Sequence, residues 1–408
     1  MKSFLLKMGH KYLSKIEVGT LNVNYPSGEK ASYGDGSEPS VDITIHSADF
    51  FKRLALYGDI GFAESYMDGE FDTPKLNDLI CLALLNSHKL GTKSEDYAKN
   101  RLGNIFPFAN RIKHIMRKNS KTRSRKNISE HYDLSNEFFK LMLDETMMYS
   151  GAVFEHPNEP LHVAQKRKIE HLAKKLRIKP GAKVLEIGSG WGAMAIYLAK
   201  EMQCDVTTVT LSKEQKELCH KRFALEKVEE KINILLKDYR DLEGTFDAII
   251  SIEMFEAVGA EYFDLFFKKC ESLLKPSGIL AMQVITIPDQ RYRAYSKSTD
   301  FIQKYIFPGG HLPSVSKVLE VTTNHTRLNL LHMEEFAEDY AKTLRYWDEN
   351  FSANLENIKA LGFDEYFIRM WKMYLNYCEA AFLTRNIGLV QMVFSRDQNI
   401  DLNKGLVA

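Results

Sequence analysis

Two carboxylates, Glu253 and Glu256, interrupt an otherwise apolar stretch from Ser251 to Gly259. Burying an ion is costly unless it is paired or put to use. Glu256 is therefore expected to face a reacting centre if this segment caps a bound cofactor; the competing expectation is a salt-bridged structural acid. A second chemical signal is Val184-Leu185-Glu186-Ile187-Gly188-Ser189-Gly190-Trp191-Gly192. It reads as a buried strand running into a glycine-rich turn, with a helix from about Ala193. Glycines let a backbone pass tightly beneath a ligand and turn its N–H groups outward, which suits a nucleotide-like cofactor. The bland alternative is a tight strand-to-helix turn and nothing more.

Glu186 ahead of the first glycine gives the spacing E-x-G-x-G-x-G, which differs from the nicotinamide fingerprint G-x-G-x-x-G. It favours the loop that holds S-adenosylmethionine, with Glu186, Gly188, Gly190, Trp191 and Gly192 as the binding residues. The next strand ends in Thr210-Leu211-Ser212-Lys213-Glu214-Gln215. Adenosine sites usually place an acid at such a strand end to hold the ribose; here none stands at the end itself, and Gln215 takes its place beside Thr210 and Leu211. Asp238-Tyr239-Arg240-Asp241 follows the third strand, where an adenine is framed, so Tyr239 and Arg240 join the expected cofactor set.

These pieces need a scaffold. Val184 to Ile187, Val206 to Thr210, Ile232 to Leu236, Ala248 to Ile252 and Ile279 to Val284 are short apolar runs separated by helical stretches. That alternation predicts an α/β fold with a doubly wound, mostly parallel sheet and a cofactor at the C-terminal strand ends. A long, aromatic-rich, largely helical insertion is expected over about 289–382, and a last strand near Val390 to Ser395. Residues 1–110 read as a small α+β domain, with strands at Ile16 to Val23 and Ser40 to His46 and helices at Asp49 to Leu56, Gly61 to Met67 and Pro74 to Asn86. Between the two, residues 111–126 carry eight Lys/Arg in sixteen positions and no acid. This basic segment is a solvated linker or a patch for anionic lipid headgroups, with nucleic acid a weaker third option because no stacking aromatics are interleaved with the charges.

The 408 residues leave room for two or three domains, and the net charge of +1 gives no whole-chain attraction to nucleic acid. No apolar run approaches the roughly 18 residues of a bilayer span. The apolar core of Met1 to Lys7 is too short for a secretory signal. Five cysteines, odd in number and without metal spacing, fit a reduced, cytoplasmic location and no metal site. Any membrane contact is then expected to be peripheral, at the inner face.

Several ordered motifs together resemble the cyclopropane-fatty-acyl-phospholipid synthase family, within the superfamily of mycolic acid cyclopropane synthases. They are Glu130-His131-Tyr132-Asp133-Leu134-Ser135-Asn136, Met148-Tyr149-Ser150-Gly151, the glycine loop, the segments at Thr210 and Asp238, Met254-Phe255-Glu256, and Lys304-Tyr305-Ile306-Phe307-Pro308-Gly309-Gly310. Asp49 to Arg53 and Glu64 to Gly69 extend the resemblance into the first domain. It implies a class I methyltransferase, Rossmann-like sheet with a helical lipid-binding insertion over 289–382 inside a domain spanning 127–398, and a homodimer. The implied reaction joins the methyl group of S-adenosylmethionine to the double bond of an unsaturated phospholipid acyl chain; proton loss from the resulting cation then closes a cyclopropane ring. Tyr149 and Ser150 are implied to touch the cofactor.

The resemblance also implies a bicarbonate ion as proton acceptor, held by a cysteine, a glutamate, a histidine and a tyrosine. The glutamate and tyrosine match Glu256 and Tyr340. Gly151 stands at the cysteine position, Gln283 at the histidine position, and Ala257 where a further histidine often follows the glutamate, so the ligand set is incomplete. Cys378 matches a family cysteine once assigned to the active site, although its helix of large apolar residues reads as core. Two other expectations compete with ring formation: a methyl-, methylene- or furan-forming methyltransferase, and a non-catalytic lipid-binding homologue.

Overall fold

A computed structural model describes residues 2–90, 134–399 and 402. The basic segment 111–126 and the first four residues of the Glu130 motif lie outside the described residues. The chain divides into two compact units: Met1–Met116 with Arg291–Pro308 and Leu344–Ile387, and Arg117–Gln290 with Gly309–Thr343 and Gly388–Ala408. The segment read as one insertion, 289–382, thus contributes to both.

In the first unit, β1 (Thr20–Asn24), β2 (Lys30–Gly34), β3 (Ser40–Ile45) and β4 (Phe71–Asp72) form a sheet in the order β2-β1-β3-β4. Leu21 and Val23 alternate with polar residues on β1, as do Val41, Ile43 and Ile45 on β3, and these apolar side chains are buried. The helix Asp49–Met67 breaks at Gly58, whose φ of 57° lies outside helical space; this is the gap expected between two helices. The helix Glu365–Leu383 packs on this helix and on Leu76–Leu85.

The second unit holds a seven-stranded sheet of β5 (Lys183–Ile187), β6 (Asp205–Thr210), β7 (Ile232–Leu236), β8 (Phe246–Ile252), β9 (Leu274–Thr286), β10 (Leu328–Glu335) and β11 (Gly388–Arg396). Its order is β10-β11-β9-β8-β5-β6-β7, with β11 antiparallel to both neighbours and the pairs from β9 to β7 parallel. The chain leaves β5 in one direction to β6 and returns on its other side as β8, which opens a crevice at the C-terminal end of β5. The parallel strands are apolar on both faces because helices cover both: Leu185, Ile249 and Leu280 belong to one core layer and Val184, Ala248 and Ala281 to the other. β10 was not expected from the sequence. Most of its residues are exposed or only partly buried, and it is a strand because β11 offers it a hydrogen-bonding edge.

Candidate active site

Past the end of β5, Gly188, Gly190 and Gly192 all adopt positive φ, at 98°, 47° and 87°. Their roles differ. Gly192 opens the helix Ala193–Lys200, and a Cβ there would lie 2.6 Å from the ring of buried Phe223. Gly190 has open space where a Cβ would go, and it lines a cavity with Gly188 and Trp191. The same cavity is bounded by Tyr149, Ser150, Glu186, Thr210, Leu211, Gln215 and Tyr239. Of the twelve expected cofactor residues, only Gly192 and Arg240 stand back from it. Arg240 turns onto Asp238, 2.6 Å away, and lies over the rings of Tyr239 and Tyr262.

The cavity wall is fixed by hydrogen bonds. Glu186 pairs across the sheet with Thr208, whose hydroxyl donates to its carboxylate at 2.6 Å. Burial pushes the Glu186 carboxyl up to about 8, opposed by that hydrogen bond and by Lys168. Thr210 donates to the Gln215 side-chain oxygen at 2.7 Å, which orients the amide at the strand end where an acid is absent. Trp191 donates from its indole to Asn136, and Arg222 donates to the Trp191 carbonyl, both at 2.8 Å. The buried Tyr239 hydroxyl has no hydrogen-bond partner among the described residues. A buried donor of this kind is costly unless something satisfies it, and an adenosine-bearing cofactor in this glycine-lined cavity fits that demand.

The acidic segment is arranged differently from expectation. Glu253 lines the cavity. Its carboxylate accepts from the Gly151 backbone N–H at 2.9 Å, the Gln283 amide at 2.8 Å and the Tyr340 hydroxyl at 2.7 Å. Glu256, the expected catalytic acid, does not line it. One of its oxygens accepts the Ile285 N–H at 2.5 Å, and the other is buried with no partner among the described residues. Gly151, Gln283 and Tyr340 do come together, but around Glu253. The turn decides which acid faces inward: Glu253 takes a left-handed φ of 48°, and a 3-10 turn at Phe255–Ala257 follows. No periodicity in the sequence encodes that choice.

Gln283 is held in one orientation. Lys175, which can only donate, bonds the Gln391 oxygen at 2.7 Å, so the Gln391 amide nitrogen donates to the Gln283 oxygen at 2.9 Å. The Gln283 nitrogen then donates to Glu253 and to the Gly151 carbonyl. At Gly151 a Cβ would lie 2.6 Å from Leu389 and 3.0 Å from the Tyr340 ring. A side chain at this position would first have to displace the Leu389 methyl, and the Tyr340 ring would have to give by a few tenths of an ångström.

Sequence reasoning missed Lys168 and Gln165. Both are fully buried on the helix Leu161–Lys174. Gln165 donates to the Ser150 carbonyl at 2.8 Å and Lys168 to the Ser150 hydroxyl at 2.6 Å, which pins the loop that carries Tyr149 to Gly151. The detectable signal was two polar residues on the apolar stripe formed by Leu161, Ala164, Ile169 and Leu172. Burial lowers the Lys168 ammonium to about 8, while Glu253, Asp144 and Glu186 hold it up. Burial raises the Glu253 carboxyl; Lys168 is the main opposing influence, followed by its hydrogen-bond donors.

Glu256 has no such cation. Burial, and then the charge of Glu253, raise its carboxyl to about 8. It therefore holds its proton more tightly in the folded than in the unfolded chain. That contribution to stability is fully present below the ordinary carboxylate pKa and falls as pH rises toward about 8. Glu256→Gln removes the ionisation, so the drop in thermal midpoint between about pH 5 and pH 8 is expected to shrink in the variant. Thermal unfolding at the two pH values measures it; an unchanged drop would contradict this account. Cys378 lies in the first unit, whereas the other four expected catalytic residues lie in the second. Burial, and then Asp300, keep its thiol protonated, as expected of a packed cysteine.

The fold and this cavity define a class I, S-adenosylmethionine-dependent C-methyltransferase. Residues 119–392 match the family described as mycolic acid cyclopropane synthetase, and the chain belongs to that family. A domain of unknown function matches residues 8–95. The chain is 38% identical over 369 residues to the cyclopropane-fatty-acyl-phospholipid synthase of Escherichia coli K12, covering 89% of each chain. It is 36% identical over 385 residues to the tuberculostearic acid methyltransferase UfaA1 of Mycobacterium tuberculosis, covering 92% of this chain and 88% of that one. The solved mycolic acid cyclopropane synthase CmaA1, complexed with SAH and CTAB, superposes with a TM-score of 0.62 at 32% identity over 67% of this chain and 98% of its own.

Proposed function

We propose that this enzyme transfers the methyl group of S-adenosylmethionine to the double bond of an unsaturated phospholipid acyl chain and closes a cyclopropane ring. The observation that carries the reading is that Glu253, a buried carboxyl group held by three donors, lines the same cavity as the glycine loop. An alkene needs no base to become a nucleophile, but the cation made from it must lose a proton. A base at the inner wall of the donor cavity suits that order of events. The names of the relatives support a fatty-acyl acceptor.

S-adenosylmethionine, when bound, supplies an electrophilic methyl group. The chain's own residues hold and shield it: Gly188 and Gly190 let the backbone approach, Glu186, Gln215 and Tyr239 offer polar contacts, and Trp191 closes the wall. Met148, Ile252 and Met254 give the cavity an apolar side that keeps water from the cation. Among the described residues no helix is long and apolar enough to cross a membrane. We take access to a phospholipid to be peripheral, with the basic segment 111–126 supplying charge for anionic headgroups.

Expression in a host that lacks its own synthase is expected to add one CH2 to monounsaturated phospholipid acyl chains. Chromatography of the methyl esters should place the product with ring standards. Co-migration with methyl- or methylene-branched standards would replace ring closure by a branched outcome. No mass gain in a protein that binds the cofactor would end the reading.

A further inference from the structure

We propose that Glu253 is a built-in proton acceptor that takes the place of the bicarbonate ion implied by the family resemblance, so that turnover needs no bicarbonate; this rests on the lipid-methylating reading above.

Three observations carry it. First, the donors that would hold an anion are already engaged. The Gly151 N–H, the Gln283 amide and the Tyr340 hydroxyl all point at one carboxylate, at 2.9, 2.8 and 2.7 Å. Second, two of those donors cannot turn elsewhere. Gly151 donates from backbone, and the Gln283 amide is locked through Gln391 by Lys175. Third, the Glu253 backbone sits at a φ of 48°. Such a conformation costs a non-glycine residue about 1–2 kcal/mol, and it persists where surrounding contacts over-determine it. Here the Glu253 N–H bonds the Gln283 carbonyl at 2.8 Å while its side chain takes the three donors. The residues present therefore do not fit a bound bicarbonate: the carboxylate occupies its donors, and glycine replaces the cysteine.

The step balances without further reagents. A C–H bond of the methyl group newly attached to the acyl chain breaks. Its electron pair forms the second C–C bond of the ring and quenches the cation, and the proton passes to the Glu253 carboxylate. The resulting carboxylic acid returns that proton to water before the next turnover.

The decisive comparison uses bicarbonate as the probe, with wild-type protein and Glu253→Gly. Glycine suits the left-handed backbone, so this variant should fold, and it exposes the three donors to a small anion. Wild-type turnover should change by less than about twofold when bicarbonate is stripped from the buffer. Glu253→Gly should lose at least about 100-fold, within the range of a general base, and regain tenfold or more of that loss on adding bicarbonate or formate. Independently of turnover, 13C-bicarbonate NMR should detect binding to Glu253→Gly and none to wild type. A wild-type enzyme that stalls without bicarbonate, wild-type binding of the ion, or a Glu253→Gly variant fully active without it would each overturn the proposal. Should wild type methylate no lipid at all, the functional reading fails, while the NMR comparison still decides what occupies these donors.

Discussion

Glu253→Gln is expected to lower kcat by about 10²–10⁴-fold, the range over which a positioned acid or base contributes, with far less effect on S-adenosylhomocysteine affinity. The substitution is nearly isosteric, but it removes charge and replaces one acceptor oxygen with an NH2 donor. That donor would meet both the Gly151 N–H and the Gln283 amide on one side, or the Tyr340 hydroxyl on the other. The hydroxyl can rotate to accept, but the backbone N–H and the locked amide cannot. Glutamine is therefore expected to set its oxygen toward Gly151 and Gln283 and its NH2 toward Tyr340, so the melting temperature should change little while the rate falls. Single-turnover rates with isothermal titration of S-adenosylhomocysteine separate the two effects. An enzyme that kept its turnover after this change would remove Glu253 from the chemistry.

Gly192→Ala is expected to cripple the cofactor site through backbone geometry and packing together. The residue's φ is 87°, and the added Cβ would stand 2.6 Å from the Phe223 ring, which is only 1% exposed. The left-handed conformation costs alanine about 1–2 kcal/mol, and overpacking a filled core adds about 1–3 kcal/mol. Against a typical total stability of about 5–15 kcal/mol, the sum is large. Relief requires the start of the helix Ala193–Lys200 to move, and Gly190 and Trp191 move with it. Cofactor affinity should fall at least tenfold and the thermal midpoint by several degrees. Gly181→Ala provides the control. Gly181 also has a positive φ, 79°, but nothing lies within 4 Å of the added carbon, so only the backbone cost applies and affinity should be retained. Equal behaviour of the two variants would discount the role assigned to Phe223.

Five of the seven large-sheet strands were legible as short apolar runs because parallel strands covered on both faces must be apolar throughout. A sixth, β11, was expected near Val390 to Ser395 and spans Gly388–Arg396. β10 was not legible, since an edge strand with exposed side chains carries no burial pattern. Nor was the partition of 289–382 between the two units, which depends on long-range packing rather than local propensity. In the site, the glycine loop, Thr210 and Gln215 were legible because each meets a local demand: a positive φ, a strand end or a helix start. Lys168 was missed although it broke an apolar stripe, because a lysine on a helix is ordinarily solvated.

By itself, then, the sequence determined the α/β scaffold, the cofactor loop and the presence of two unusual acids beyond the fourth strand of the core. Only the tertiary structure decided which acid lines the glycine-loop cavity. Gly151, Gln283 and Tyr340 are far apart in the chain and sit on a loop, a central strand and a helix. They meet because β9 and β11 pair in a register that sets Gln283 against Gln391, and because a glycine at 151 leaves room for Leu389 and the Tyr340 ring beside the loop. Hydrogen bonds to a buried carboxylate form only once those elements have packed, so no local pattern could distinguish Glu253 from its neighbour three residues on.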